Sequence, residues 1–353
     1  MNYIQVSILF CIKQLKGERT AYGIYHLLTG KKSAQTIQDG KIFGISFLFQ
    51  SFVYLDKRSF EACVAYLVAY LKEQQYIEET ENQKYVMTDK GQARLEDELT
   101  ARPFHPALDG WKFASSTQLF LARITLFIQT LSNLQYFQKG FLPISKNAEV
   151  IQWVKTYIMS QKQTRQELAA ELFEELRMCL KGCTERDASL FVLQLTGYQR
   201  VGFTKNQLAY QYELDEHYVH IQLLGVIHHI IEKVSKNNES FHVLSSFLRD
   251  LYLELPLTSS TLKTYSWLQK GKTLEEIAYI RRLKESTIED HIAELALFVP
   301  SFSIDPYVSP KQQEKIISAF EGLRTNKLKV IKEEVKDDVT YFQIRLVLAK
   351  HFT

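Results

Sequence analysis

Seven polar and basic side chains between positions 272 and 291 have the types and spacing of a nucleic-acid contact. They are Lys272, Arg281, Arg282, Lys284, Ser286, Thr287 and His291. Lysine and arginine bind phosphate oxygens, whereas hydroxyl and imidazole groups bond to phosphate or to base edges. The cluster predicts a DNA-binding site in which Arg281, Arg282 and Lys284 contact the DNA backbone. The alternative is a charged face that contacts only solvent.

The elements that must position this cluster are two short helices joined by a tight turn. Apolar residues recur at helical spacing on both sides of the turn, at Leu274, Ile277, Ala278, Leu283, Ile288 and Ile292. Thr273 with Glu276 matches a capping box at the start of the first helix, and Ser286 with Glu289 matches one in the second. The pattern predicts a helix-turn-helix. Its second helix would expose the polar residues that meet DNA, which are Ser286, Thr287, Asp290 and His291.

The same pattern occurs 69 positions earlier, in residues 204–223. The matched pairs are Thr204 with Thr273, Leu208 with Ile277, Ala209 with Ala278, Leu214 with Leu283, Val219 with Ile288, and Leu223 with Ile292. A second helix-turn-helix is therefore predicted. Around its turn this earlier copy has Glu213, Asp215 and Glu216. Only the later copy has a charge suited to phosphate.

The first hundred residues combine helices with a hairpin signal. Helical spacing covers four segments, at about residues 3–15, 20–28, 35–52 and 56–75. Thr20 is placed to cap the second of these helices. Two β-prone runs within residues 76–88 then flank a polar turn, which predicts a β-hairpin.

Helices followed by such a hairpin predict a winged helix. In this interpretation the helix over residues 56–75 faces a duplex and Lys84 lies at the wing. A winged helix that contacts only protein stays open as an alternative, because the wing is made acidic by Glu78, Glu79 and Glu81.

The rest of the chain predicts a helical platform before the C-terminal module. Pro103 and Pro106 break helical continuity and mark a domain boundary. Long helical segments follow, at about residues 115–136, 148–161, 165–180 and 185–195. The predicted fold is mainly α: an N-terminal winged helix with a small β-hairpin, a central helical domain ending in a helix-turn-helix-like unit, and a C-terminal helix-turn-helix module. The predicted domains are residues 1–102, 103–252 and 253–353.

Charge and cysteine content exclude several classes of protein. The net charge of +3 is spread as +1 in each of residues 1–102, 103–250 and 251–353, so DNA affinity should be modest and salt-sensitive. The four cysteines lack metal-binding spacing and predict reduced thiols without a metal; they are Cys11, Cys63, Cys179 and Cys183. Lys13 interrupts the short N-terminal apolar run, which predicts a cytoplasmic protein with no membrane partner.

The residues that could support catalysis do not form a recognisable site. TGKKS at residues 29–33 lacks the first glycine of a phosphate loop. His228 and His229 are adjacent and would point about 100° apart on a helix, which favours packing over chelation. Paired carboxylates are more typical of solvated faces than of nuclease centres, and they occur at Glu174, Glu175, Asp337 and Asp338. The sequence predicts a protein that is not an enzyme and needs no cofactor.

Two C-terminal segments resemble a known module. Residues 257–295 look like the helix-turn-helix module appended to certain RecQ-type helicases, and residues 327–350 are similar to its closing segment. Taken whole, the chain resembles the YpbB-like helix-turn-helix proteins of low-GC Gram-positive bacteria. The resemblance implies a non-catalytic accessory of a RecQ-type DNA helicase, with the helicase and DNA as partners in repair or recombination. Two alternatives stay open: a helix-turn-helix transcription regulator and a protein-only adaptor.

Overall fold

The computed structural model describes residues 1–54, 57–138, 140–251, 255–323, 325–336 and 339–351, with the backbone alone for residues 57–63. Predictions that concern Cys63, Asp337, Asp338 and a helix start at residue 56 lie outside the described residues. The described chain is mainly helical with one two-stranded antiparallel sheet, as the sequence predicted.

The first half of the chain contains both strands. Its elements are α1 (Tyr3–Leu15), α2 (Ala21–Leu28), α3 (Ala34–Ile42), α4 (Lys57–Glu73), β1 (Ile77–Glu81), β2 (Lys84–Met87), α5 (Asp89–Ala101), α6 (Gly110–Phe113), α7 (Thr117–Gln135) and α8 (Ala148–Ser160). The second half is helical where it is described. Its elements are α9 (Arg165–Leu180), α10 (Glu185–Leu193), α11 (Lys205–Gln211), α12 (Glu216–Lys236), α13 (His242–Ser246), α14 (Ser259–Leu268), α15 (Leu274–Arg281), α16 (Glu285–Phe298), α17 (Pro310–Leu323), α18 (Leu328–Val335) and α19 (Tyr341–His351).

Two compact units make up the chain, each from two stretches of sequence. The first unit consists of Met1–Ile8 and Ala93–Glu254, and the second consists of Leu9–Gln92 and Leu255–Thr353. Most of the predicted first and third domains thus belongs to one unit. The division into three domains stays a prediction.

The long helix α12 is the centre of the first unit. It packs against α7, α9, α10 and α11 and carries buried residues from Tyr218 to Val234. A helix that is apolar on every face is a core helix. Asp215 caps it, because one carboxylate oxygen accepts from the backbone N–H groups of His217 and Tyr218, each at 3.0 Å. The same oxygen accepts from the backbone N–H of Tyr3 at 3.1 Å, which holds the start of the chain in this unit.

His228 belongs to this core. Its Nδ1 accepts from the backbone N–H of Asp109 at 3.1 Å, and its Nε2 lies 3.0 Å from the hydroxyl of Thr117. Burial lowers the pKa of His228 to about 3, so the imidazole is neutral at neutral pH. The predicted packing role of His228 is confirmed.

The hairpin predicted after α4 is present in the second unit. β1 and β2 pair antiparallel with Ile77 opposite Met87, and Lys84, which begins β2, lies 3.6 Å from the carboxylate of Glu81. The strand also exposes its acidic residues, which are Glu78, Glu79 and Glu81. The helix and hairpin are thus confirmed, whereas the winged-helix fold itself is not.

Two helix predictions in the second unit were wrong in detail. α3 ends at Ile42 instead of continuing to residue 52, because Gly44 adopts φ +65° and a 3₁₀ turn at Ser46–Leu48 follows. Thr20 takes the N-cap position of α2, but among the described contacts its hydroxyl makes no hydrogen bond to the first turn.

Candidate nucleic-acid interface

The C-terminal helix-turn-helix is formed by α15 and α16. The hydroxyl of Thr273 accepts from the backbone N–H of Glu276 at 3.3 Å, and the carboxylate of Glu276 accepts from the backbone N–H of Thr273 at 2.9 Å. This reciprocal pair is the predicted capping box, and it satisfies two amide groups that the first turn leaves unpaired.

The turn between the two helices depends on one residue with positive φ. Arg282, the C-cap residue that follows α15, adopts φ +53° and ψ +44°, in the left-handed helical region. The backbone N–H of Leu283 then donates to the carbonyl of Ala278 at 3.0 Å. A residue other than glycine in this conformation costs about 1–2 kcal/mol. Lys284 takes the N-cap of α16, so the predicted capping role of Ser286 is wrong.

The same turn recurs 69 positions earlier, in the first unit. α11 begins with a capping box between Thr204 and Gln207, and Glu213 adopts φ +53°. The backbone N–H of Leu214 donates to the carbonyl of Ala209 at 2.8 Å, as in the later turn. Both copies also expose a tyrosine at matched positions, Tyr210 at 90% and Tyr279 at 87%. The second helix-turn-helix predicted from the sequence has therefore formed.

Five of the seven predicted site residues lie at the surface around the later turn. Arg282, Lys284 and Ser286 are exposed, and Lys272 and Thr287 are half-buried. The ammonium of Lys272 bonds to the carboxylate of Glu276 at 2.9 Å. The exposed basic residues border an open hollow of about 900 Å³, which is lined by Glu275, Ala278, Tyr279, Ile280, Arg282, Leu283, Lys284, Glu285 and Ser286. The site therefore combines two exposed cations with an exposed aromatic ring and two carboxylates.

Arg281 is half-buried and does not line this hollow, and the bonding of its guanidinium weighs against the predicted phosphate contact. One guanidinium nitrogen donates to the carbonyl of Ser260 at 2.9 Å and also to the hydroxyl of Thr264. The other donates to the hydroxyl of Ser260 at 2.9 Å. These bonds tie α15 to α14, so Arg281 stabilises the module from inside.

His291 is buried, and the expectation that it lies exposed is wrong. Its side chain is 7% exposed, and its Nδ1 lies 2.8 Å from the hydroxyl of Thr264. Burial, and secondly the charge of Arg281, lowers the pKa of His291 to about 4. Asp290, also expected to be exposed, is half-buried and accepts from Arg345 at 2.5 Å. Neither residue presents a free side chain to a duplex.

The second helix of the module is covered along most of its length. α16 packs against α14, α15, α19 and α3, and every residue from His291 to Leu297 is buried. Glu294 is among them and accepts from the hydroxyl of Thr261 at 2.6 Å. A recognition helix must present a free face to enter a major groove, whereas here the exposed side chains are Glu285 and Ser286 in the first turn. The signal for this burial is the run IAELALFV at residues 292–299, in which every residue except Glu294 is apolar.

Comparisons with known proteins agree with this description. The family described as a helix-turn-helix domain matches residues 260–348, and that domain indicates DNA binding. No solved structure matches the chain. Among the described residues, no helix has the length and apolar character needed to cross a membrane. Protein YpbB of Bacillus subtilis (strain 168) is 33% identical over 350 residues, which cover 99% of this chain and 98% of that protein. Neither match indicates a catalytic family, and the chain belongs to the YpbB family.

Proposed function

We propose that this chain is a non-catalytic accessory of a RecQ-type DNA helicase and that it contacts the DNA backbone through the turn between α15 and α16. The observation that carries the DNA contact is the exposure of Arg282 and Lys284 beside a second helix whose faces are covered. The helicase is proposed from the resemblance of residues 257–351 to the module appended to RecQ-type helicases. The corresponding setting is repair or recombination in the cytoplasm.

The geometry favours binding that is independent of DNA sequence. Contacts to phosphate position a protein but do not read bases. Three cations are available, Arg282, Lys284 and the partly engaged Lys272, so we expect at most about three phosphate contacts. Each contact contributes about −0.9 to the slope of log affinity against log salt. Affinity should therefore lie in the range of non-specific binding, with Kd about 10⁻⁴–10⁻⁶ M at physiological salt.

The covered second helix weighs against the transcription-regulator alternative. Reading an operator requires several side chains of one helix at base edges, and α16 is buried from His291 to Leu297. The protein-only adaptor is supported by two acidic residues beside the turn, Glu275 and Glu285, which would repel phosphate. This adaptor is the second candidate.

The test reverses the charge of the turn without disturbing its backbone. The other copy of the turn has Glu213 and Asp215 at the positions of Arg282 and Lys284, and Glu213 has the same φ as Arg282. The double variant Arg282→Glu with Lys284→Asp should therefore fold and lose most fork-DNA binding. The matched control reverses two exposed lysines of the same module, Lys263→Glu with Lys311→Asp, and should retain binding.

The helicase is tested separately by co-purification with the RecQ-type helicase of the same cell, followed by unwinding of fork DNA with and without this chain. A stable complex with altered unwinding supports the accessory function. DNA affinity that is equal in the charge-reversed variant and the native chain would refute the proposed DNA contact. A stable helicase complex in that case would favour the adaptor.

A further inference from the structure

An apolar groove crosses the surface of the first unit, formed by residues of α7, α9 and α10. Its volume is about 660 Å³. The lining residues are Ile128, Leu131, Ser132, Gln135, Ala169, Leu172, Phe173, Leu176, Arg177, Leu180, Lys181, Phe191, Val192 and Leu195. Nothing in the proposed DNA contact uses this groove, because the turn at Arg282 belongs to the second unit.

Some apolar residues of the groove belong to the core of the unit, whereas others are exposed to solvent. Leu131, Leu172 and Phe191 are buried at its floor and belong to that core. Phe173 lies one position further along α9 and is 64% exposed, and Val192 of α10 is also exposed. These exposed apolar side chains beside the groove offer a partner a surface to cover.

The uncharged polar residues that line the groove are Ser132 and Gln135. The hydroxyl of Ser132 already accepts from the backbone N–H of Tyr198 at 2.9 Å. Small-molecule sites usually fix their ligand through several convergent polar groups. An apolar channel alongside a helix instead fits the apolar face of a second helix, whose side chains at i, i+3, i+4 and i+7 enter it as a row.

Two cations lie at one end of the groove. Among the described lining residues the charged ones are Arg177 and Lys181, and both side chains are exposed at the C-terminal end of α9. Arg177 also bonds to Glu174, one turn earlier on the same helix, at 2.8 Å. Both partners of this pair are largely exposed, so the pair contributes little and leaves Arg177 available to a partner.

We propose that this groove docks a single amphipathic helix of a partner protein, with an apolar stripe against Phe173 and Leu176 and acidic residues facing Arg177 and Lys181. Burial of the stripe supplies affinity, and the two cations select the acidic partner and its orientation. This docking site does not rest on the proposed DNA contact, and either can fail without the other.

The test uses a labelled synthetic helix as the probe. It has about 18 residues, with leucines at three- and four-residue spacing and glutamates along one edge, and a matched peptide has lysine at every glutamate position. Fluorescence anisotropy with the full chain should show at least tenfold tighter binding of the acidic peptide. Phe173→Glu should weaken that binding at least tenfold. Met159→Glu, at a position 74% exposed and outside the groove, should leave it unchanged.

A second variant tests the charge separately from the apolar surface. Arg177→Glu with Lys181→Glu should reverse the preference, so that the lysine peptide binds better. This variant also keeps the proposal testable if circular dichroism shows that Phe173→Glu unfolds. Three outcomes would each overturn the proposal. The acidic peptide does not bind, it binds the groove variants and the control variant equally, or the chain forms a dimer that either groove variant dissociates.

Discussion

Replacing Lys284 with aspartate should stabilise the helix-turn-helix and weaken DNA binding at the same time. Lys284 takes the N-cap of α16 at φ −70° and ψ +147°, and lysine has no acceptor for the free amide groups of the first turn. Asp215 takes the matched position in the earlier copy at φ −72° and ψ +136°, and accepts from two backbone N–H groups. An aspartate at 284 would meet the amides of Ser286 and Thr287 in the same geometry.

The magnitude follows from the cap and from the helix dipole. Gaining an N-cap acceptor is worth about 1 kcal/mol, and a negative charge at a helix N-terminus adds about 0.3–1 kcal/mol. The free energy of unfolding of the second unit should therefore rise by about 1–2 kcal/mol. Loss of one phosphate contact should reduce the slope of log affinity against log salt by about 0.9, and we expect DNA affinity to fall about tenfold at low salt.

Two measurements on one variant separate the effects. Urea denaturation followed by circular dichroism gives the stability, and fluorescence anisotropy with a labelled fork DNA across a salt series gives the affinity and the slope. Lys284→Ala is the matched control, because it removes the cation without supplying an acceptor, and it should weaken DNA binding without raising stability. Lower stability of Lys284→Asp would refute the N-cap argument, and unchanged affinity would refute the phosphate contact.

Two further predictions concern polar side chains that bond to α14 within the second unit. Arg281→Ala should lower the free energy of unfolding by about 2–3 kcal/mol, because it removes charge-assisted bonds to Ser260 and Thr264. Urea denaturation measures this loss. A change below about 0.5 kcal/mol would contradict the stabilising role of Arg281. Titration of His291 should lower the free energy of unfolding as the pH drops from about 6.5 to about 4. The pKa of His291 is about 4 in the folded chain and near 6.5 in the unfolded chain. The unfolded chain therefore binds the proton more readily over this pH range. The expected slope is up to about 1.4 kcal/mol per pH unit, and His291→Gln should flatten it in denaturation curves taken across that range; an equally steep loss in the variant would assign the acid sensitivity to other groups.

Local signals were sufficient to predict the helix-turn-helix geometry. Thr273 with Glu276 forms the cap that the sequence pattern indicates, and Thr204, which the sequence matched to Thr273, begins the earlier copy with the same kind of cap. These motifs act within four residues, so their geometry depends little on the remainder of the chain. The hairpin after α4 was also recognisable for this reason, since its turn residues and short strands are adjacent in sequence.

Residues distant in sequence determine whether the candidate site side chains are exposed or bonded within the module. Whether His291 and Arg281 face DNA or the interior depends on α14, whose Thr264 and Ser260 receive them. The covering of α16 comes in part from α3, which precedes it by more than two hundred residues. The run from Ile292 to Val299, apolar except at Glu294, indicates that the helix is buried, but no local pattern indicates which helix buries it.

The sequence by itself therefore determined most of the helices, the cap at Thr273, the repeated turn and the basic character of its later copy. Only the tertiary structure decided which of the seven candidate residues are free at the surface. Arg282 and Lys284 are exposed, whereas Arg281 bonds to α14 and His291 is buried. The physical reason is that capping and turn formation are local interactions, whereas burial depends on contacts between segments distant in sequence. The same distinction applies to Phe173, whose exposure depends on where the neighbouring helices, α7 among them, pack against α9.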